Sequence, residues 1–140
     1  MIAACVIDAS VAIKWVITED GTEAANRLRW SGTAFHAPDL ILAEAGNILW
    51  KKLRRDELTL AEADLAWDIL RLARIRIHAM GRLASPALRM AAALDHPVYD
   101  ALYLALAREL DMPMLTADRR LVSKLAASGN AGLPESVLLS

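Results

Sequence analysis

The chain has 140 residues, 56% hydrophobic and 24% charged, with only 6 Gly and 5 Pro, which excludes a disordered tail and fits one compact domain spanning 1–140. A formal charge of −1 argues against a general nucleic-acid binder, and the single cysteine, Cys5, excludes an intramolecular disulfide and favours a reducing compartment, with the cytoplasm as the expected location. The apolar start "MIAACVI" has no basic leader and meets an acid at once in Asp8, so no signal peptide is expected; no apolar run approaches the ~20 residues that cross a bilayer, so no membrane is expected either.

In chain order, "IAACVI" reads as a first strand, and "ASVAIKWVI" beyond Asp8 as a short helix. Residues 19–31 follow as a surface helix and "AFHA" as a brief strand. Pro38 then leads into a helix from Asp39 to Arg55, whose basic end "KKLRR" complements the negative pole of the helix dipole. Thr59 and Glu62 fit a capping box opening "TLAEADLAWDILRLAR". "IRIHA" is strand-like, "ALRMAAAL" and "VYDALYLALAREL" are helical, "MPMLTA" is strand-like, "DRRLVSKLAAS" is helical, and "SVLL" closes the chain as a strand. Strands alternating with helices predict an α/β fold with three layers, α/β/α, around a short, mostly parallel sheet of four to five strands. Sites in such sheets lie in the crevice beyond the carboxyl ends of the strands.

Four acids break this pattern. Asp8 and Asp118 close the first and fourth strands, where both point into that crevice. Glu44 and Asn47 are the two polar residues of "LILAEAGNILW" and share one helix face, and Asp100 interrupts the apolar run "HPVYDALYLALA". A buried ionised carboxylate must be paired, bound to a cation, or neutralised. If the four converge, each pair of charges about 5 Å apart repels by roughly 3 kcal/mol at an effective dielectric near 20, so a cation is required. An all-oxygen set suits Mg²⁺ or Mn²⁺, and with one cysteine and scattered His36, His78 and His96, a zinc site has nothing to be built from. Each acid alone also fits a plainer role: Asp8, Asp100 and Asp118 as helix caps or first-turn acids, and Glu44, with more difficulty, as a surface residue.

On these blocks the sequence resembles the PIN-domain family, specifically the VapC-type toxins of type II toxin–antitoxin pairs. "VIDASVAIKWV" is similar to the family's opening strand and first acid, "APDLILAEAGNILWKKLRR" to its second block, "HPVYDALYLALAREL" to its most specific stretch, and "PMLTADRRL" to the block with the fourth acid. The resemblance covers essentially the whole chain, with all four acidic positions filled. It implies a PIN-like sandwich, Mg²⁺ or Mn²⁺ at the four acids, endoribonuclease activity on an RNA substrate, a homodimer, and a small VapB-type antitoxin as partner.

The expected chemistry is metal-assisted hydrolysis of a phosphodiester. Asp8, Asp100 and Asp118 are expected to hold the cation, and Glu44 to position a water or a second ion. Ser10, Thr116 and Asn47 are candidates for orienting the acids or the water, although Ser10 and Thr116 equally fit ordinary caps and Asn47 a buried amide. Setting the four acids aside moves the charge from −1 to +3. Arg119 and Arg120, beside the fourth acid, are the favoured phosphate contacts, with Lys14 a weaker one and Lys51, Lys52, Arg54 and Arg55 a further basic group. Trp15 and Trp50 fit either the core or a groove for a partner helix. Two rivals stand beside this reading. A receiver-like phosphoacceptor domain would want adjacent acids after the first strand and a lysine after the last. A catalytically silent PIN-like module would bind RNA or protein without cutting.

Overall fold

The computed structural model describes residues 2–129 and 133–139. Among these residues five strands, β1 (Ala4–Ile7), β2 (Ala34–Pro38), β3 (Arg76–His78), β4 (Met114–Thr116) and β5 (Ser136–Leu138), form one sheet in the order β3-β2-β1-β4-β5. Every pairing is parallel, with Val6 registered on His36 on one side and on Met114 on the other. Among the described residues seven helices flank it: α1 (Ala9–Ala12), α2 (Thr22–Arg29), α3 (Leu40–Arg54), α4 (Leu60–Arg71), α5 (Ala84–Leu94), α6 (Val98–Leu110) and α7 (Arg119–Ala127). The expected three-layer α/β/α architecture is present, and the sheet is wholly rather than mostly parallel.

The strand order reverses direction at β1 and β4, the topological switch point at which parallel sheets open a crevice. A receiver domain has its switch between its first and third strands, so the topology removes that rival. Among the described residues no helix is long and apolar enough to cross a membrane.

The core is built around α6, where all residues from Ala101 to Ala107 are buried because its sequence is apolar on every face. It packs on α5 and lies against β1, β2 and β4. Local signals set the other boundaries. Thr59 and Glu62 form the expected reciprocal capping box of α4. Pro86 falls in the first turn of α5, where its missing N–H is harmless, so this helix starts at Ala84, earlier than expected. The helix expected over 19–31 is confined to Thr22–Arg29, because Gly21 takes a left-handed conformation (φ 88°) immediately before it. The first helix tightens into a 3-10 turn at Ile13–Trp15. Trp15 belongs to the core, with its indole N–H donating to the Ala25 carbonyl (2.8 Å) and its ring 5.0 Å from that of Phe35. Trp50 is half exposed, under the guanidinium of Arg54.

Candidate active site

β1 delivers Asp8 to the switch point, where it is also the N-cap of α1: Oδ1 accepts from the Val11 amide (3.3 Å). Two hydroxyls add to this and leave a lone pair of Oδ2 open. Ser10 Oγ donates to Oδ1 and Thr116 Oγ1 to Oδ2, each at 2.5 Å. Thr116, the last residue of β4, is fully buried, and its Oγ1 also accepts from the Asp118 amide (3.0 Å); Ser10 Oγ accepts from the Ala117 amide (3.1 Å). The two hydroxyls therefore tie the end of β1 to the end of β4 and fix Asp8 and Asp118 relative to each other. Asp118 caps α7 through the Arg120 and Leu121 amides. For Asp8 and Asp118 the capping role and the place at the crevice are both true.

Glu44 comes from α3 and Asp100 from the first turn of α6. Tyr103, one turn beyond Asp100 and fully buried, donates its hydroxyl to Glu44 Oε1 at 2.5 Å. His96, on the loop ahead of α6, places Nε2 2.5 Å from Asp100 Oδ2, and Lys124 Nζ lies 3.4 Å from the other nitrogen of that ring. Asp8, Glu44, Asp100 and Asp118, with Ser10, Asn47 and Lys51, line one pocket of about 270 Å³. Asp118 also borders a second hollow of about 310 Å³, shared with His96, Arg120 and Lys124.

The electrostatics of this pocket are unfavourable to its own charges. Burial pushes the Asp8 carboxyl up to about 6, against hydroxyl and amide hydrogen bonds that pull it down, and Asp100 adds repulsion. Glu44 is raised for the same leading reason, with Asp100 again repelling it and the Tyr103 hydroxyl opposing the rise. Tyr103 itself is driven far upward by burial and by the Glu44 charge, so it remains a proton donor. Among the described residues, none of the four acids forms an ion pair with arginine or lysine, and His96 is the one basic partner, on Asp100.

This donor set fits a hard divalent cation. Its acidic donors are oxygens, joined by the Ser10 hydroxyl and the Asn47 amide, and the thiol of Cys5 is buried in the core with its pKa pushed up to about 12. Among the described residues no three carboxylate or imidazole groups close into a ready-made cage. A pocket of about 270 Å³ instead leaves room for retained water, the way Mg²⁺ is commonly held.

The other expected contacts are divided. Asn47 faces the pocket, but the partner of Glu44 is Tyr103 rather than Asn47. Lys14 is not brought there: its ammonium binds Glu19 Oε1 (3.0 Å) and the Asp20 carbonyl (2.7 Å), and its stem lies over Gly21. Local charge neutralisation holds it away, and Lys51 is the lysine at the pocket. Arg120 reaches the neighbouring hollow, whereas the exposed Arg119 lines neither cavity. His36 and His78 pair with each other on β2 and β3 (2.9 Å).

Sequence reasoning missed Tyr103 and His96. A tyrosine inside "DALYLALA" needs a partner for its buried hydroxyl, which was a usable signal. For His96 the four-residue spacing to Asp100 was the only hint.

A family model described as the PIN domain matches residues 5–127. Ribonuclease VapC3 of Pyrobaculum aerophilum is 32% identical over 126 residues, covering 87% of this chain and 95% of the relative. The crystal structure of PAE2754 from the same organism superposes with a TM-score of 0.65 at 27% identity, covering 86% of each chain. VapBC2 from Rickettsia felis, solved bound to a promoter DNA fragment, superposes with a TM-score of 0.66 over 98% of this chain and 99% of the other, at 12% identity, a likeness of fold. A parallel sheet whose switch point gathers four acids, joined to a match over most of the chain, places this protein in the PIN-domain family, among its VapC members.

Proposed function

We propose that the chain is an endoribonuclease that hydrolyses RNA phosphodiester bonds with Mg²⁺ or Mn²⁺, acting as the toxin of a VapBC-type pair. The observation that carries this reading is the convergence of Asp8, Glu44, Asp100 and Asp118 on one pocket at the switch point of the sheet. The PIN-domain family implies dependence on a divalent metal, and the four carboxylates in the lining favour a hard ion. The names of the relatives support RNA as substrate and a VapB-type antitoxin as partner. The family resemblance supports a homodimer, a single domain over 1–140 and a cytoplasmic setting.

In this mechanism Asp8, Asp100 and Asp118 would hold the cation, directly or through water, and Glu44 would orient the water that attacks phosphorus. When bound, the ion supplies Lewis acidity, offsetting phosphate charge and making water a better nucleophile. The protein's own work is positional. Ser10 and Thr116 fix both oxygens of Asp8, so it presents one geometry to the pocket. Tyr103 holds Glu44, and His96 holds Asp100. Lys51 at the pocket, with Arg120 and Lys124 in the hollow beyond Asp118, contributes cations to the flanking phosphates.

The test is to incubate the purified chain with structured RNAs, with and without Mg²⁺, beside the Asp100→Asn variant. Cleavage should require the ion and fall about a hundredfold or more in the variant. Cleavage that persists in chelator or in Asp100→Asn removes the metal mechanism. RNA binding without cleavage in Mg²⁺ returns the chain to the silent-module reading.

A further inference from the structure

At the other end of the sheet, remote from the carboxylates, lies a groove of about 920 Å³. It runs between the turn after α2, the start of β2, and the connection from α4 into β3. Three guanidinium groups line it, from Arg29, Arg74 and Arg76, and no lining residue is acidic. None of the ion pairs among the described residues involves these three, whereas Arg27, Arg71 and Arg82 are each matched to a carboxylate. In a chain of net charge −1, this is a local concentration of unmatched positive charge.

An aromatic platform stands in the same groove. Trp30 is 76% exposed, and the Arg29 guanidinium sits 4.7 Å from its ring centroid. Trp15 is buried, Trp67 partly buried and Trp50 half exposed, so Trp30 is the most exposed of the four tryptophans. Arg74 adopts a left-handed conformation (φ 56°), strained for a residue with a β-carbon, two residues before the strand that carries Arg76, as Asp56, Asp95 and Asp111 do just past other helices. Unmatched arginines beside an open indole face are the components with which proteins hold single-stranded nucleic acid: phosphates go to the cations and a base stacks on the ring.

We propose that this groove is a second binding surface for single-stranded RNA, in which Arg29, Arg74 and Arg76 hold phosphates and Trp30 stacks a base. The choice of RNA rests on the ribonuclease reading; the anionic, stackable character of the ligand rests on the groove itself. The two sites lie at opposite ends of strands that are at most five residues long, hence about 17 Å apart along the strand direction. A long RNA strand engages both, so the groove tethers the substrate while the carboxylates act on another part of it.

The experiment measures binding of a fluorescent 20-nucleotide oligouridine in chelator, where no cleavage occurs, together with tryptophan emission and, separately, Mg²⁺-dependent cleavage of a long RNA. The R74Q/R76Q variant keeps long side chains at the strained position. It should bind more weakly, with a salt dependence shallower by about 1.4 in log K against log[salt], the share of two single-strand phosphates. Trp30→Ala should weaken binding at least about fivefold. RNA should quench emission in the parent and in Trp50→Phe, but not in Trp30→Phe. Cleavage by R74Q/R76Q and by the Trp30 variants should show a raised KM with kcat unchanged, while Trp50→Phe cleaves as the parent does. If the parent cleaves RNA in Mg²⁺ while the variants bind as tightly and with the same salt dependence, the groove proposal falls and the ribonuclease reading stands. If the parent cleaves nothing yet the groove variants lose oligonucleotide binding, the ribonuclease reading falls alone. If oligouridine neither binds nor quenches, or if an oligoglutamate peptide of equal length quenches Trp30 and RNA does not, the groove serves another partner and the proposal is overturned.

Discussion

At the scale of the residue, one side chain can serve structure and chemistry together. Asp8 caps α1 and also faces the crevice, and Asp118 caps α7 while bordering the same pocket. The plainer reading of either acid was therefore true without displacing the other. The four acids were legible because charge stands out in an apolar run; Asp100 and Glu44 interrupt patterns that predict burial. Their partners were not, since the Tyr103–Glu44 bond joins residues 59 positions apart in the chain. Tyr103 gives a test at this scale. Burial raises Glu44 and the Tyr103 hydroxyl opposes that rise. Removing the hydroxyl in Tyr103→Phe lets the Glu44 pKa climb further, so the acid limb of the kcat/KM profile for RNA cleavage should move to higher pH. Activity should fall about 10- to 100-fold below pH 6, and less at pH 8, as outer partners of metal sites commonly show. An unmoved acid limb would mean that Glu44 takes no part as a base or ligand.

At the scale of the element, α6 combines the core and the site. Its fully apolar surface places it against β1, β2 and β4, and the same rigidity aims Asp100. Leu104, with no exposed surface, should cost about 2–5 kcal/mol when changed to alanine, by loss of burial and creation of a cavity. Thr59→Ala removes one arm of the α4 capping box, away from the pocket, and should cost about 1 kcal/mol with RNA cleavage unchanged. Urea unfolding beside a cleavage assay separates the two. Equal losses would show that α4 carries more of the core than its exposed cap suggests. The order and type of the elements were legible from periodicity, and Thr59–Glu62 and Pro38 marked boundaries correctly. The errors fell where a backbone effect acts without an apolar signal: Gly21 shortens α2, and a 3-10 turn at Gly81–Leu83 leads α5 in early. Strand order was not legible at all, because which strands pair is decided by packing across distant segments.

At the scale of the whole molecule, the cost of burying carboxylates in the pocket must appear in stability. The Asp8 pKa stands at about 6 in the fold against 3.8 for the free side chain, so between those values the native state holds a proton that the unfolded chain releases. Stability of the metal-free protein must then fall as pH rises through about 4 to 6, by about 3 kcal/mol in all, and Glu44, also raised, contributes with the same sign. Glu62 and Glu109 are shifted the other way, but both are exposed and screened, so they weigh little; His36, lowered by burial, offsets part of the fall with the opposite sign. A divalent cation favours the ionised pocket. Its binding therefore strengthens over the same interval and stabilises the fold in proportion to occupancy. In chelator, the melting temperature should drop from pH 4.5 to pH 7; added Mn²⁺ should restore it at pH 7 and do little at pH 4.5. Asp8→Asn, which cannot ionise, should flatten the chelator curve, melt higher than the parent at pH 7, and lose most of the Mn²⁺ response along with cleavage. A Mn²⁺ response independent of pH, or an Asp8→Asn curve as steep as the parent's, would show that the repulsion in the pocket is relieved by something other than a bound cation.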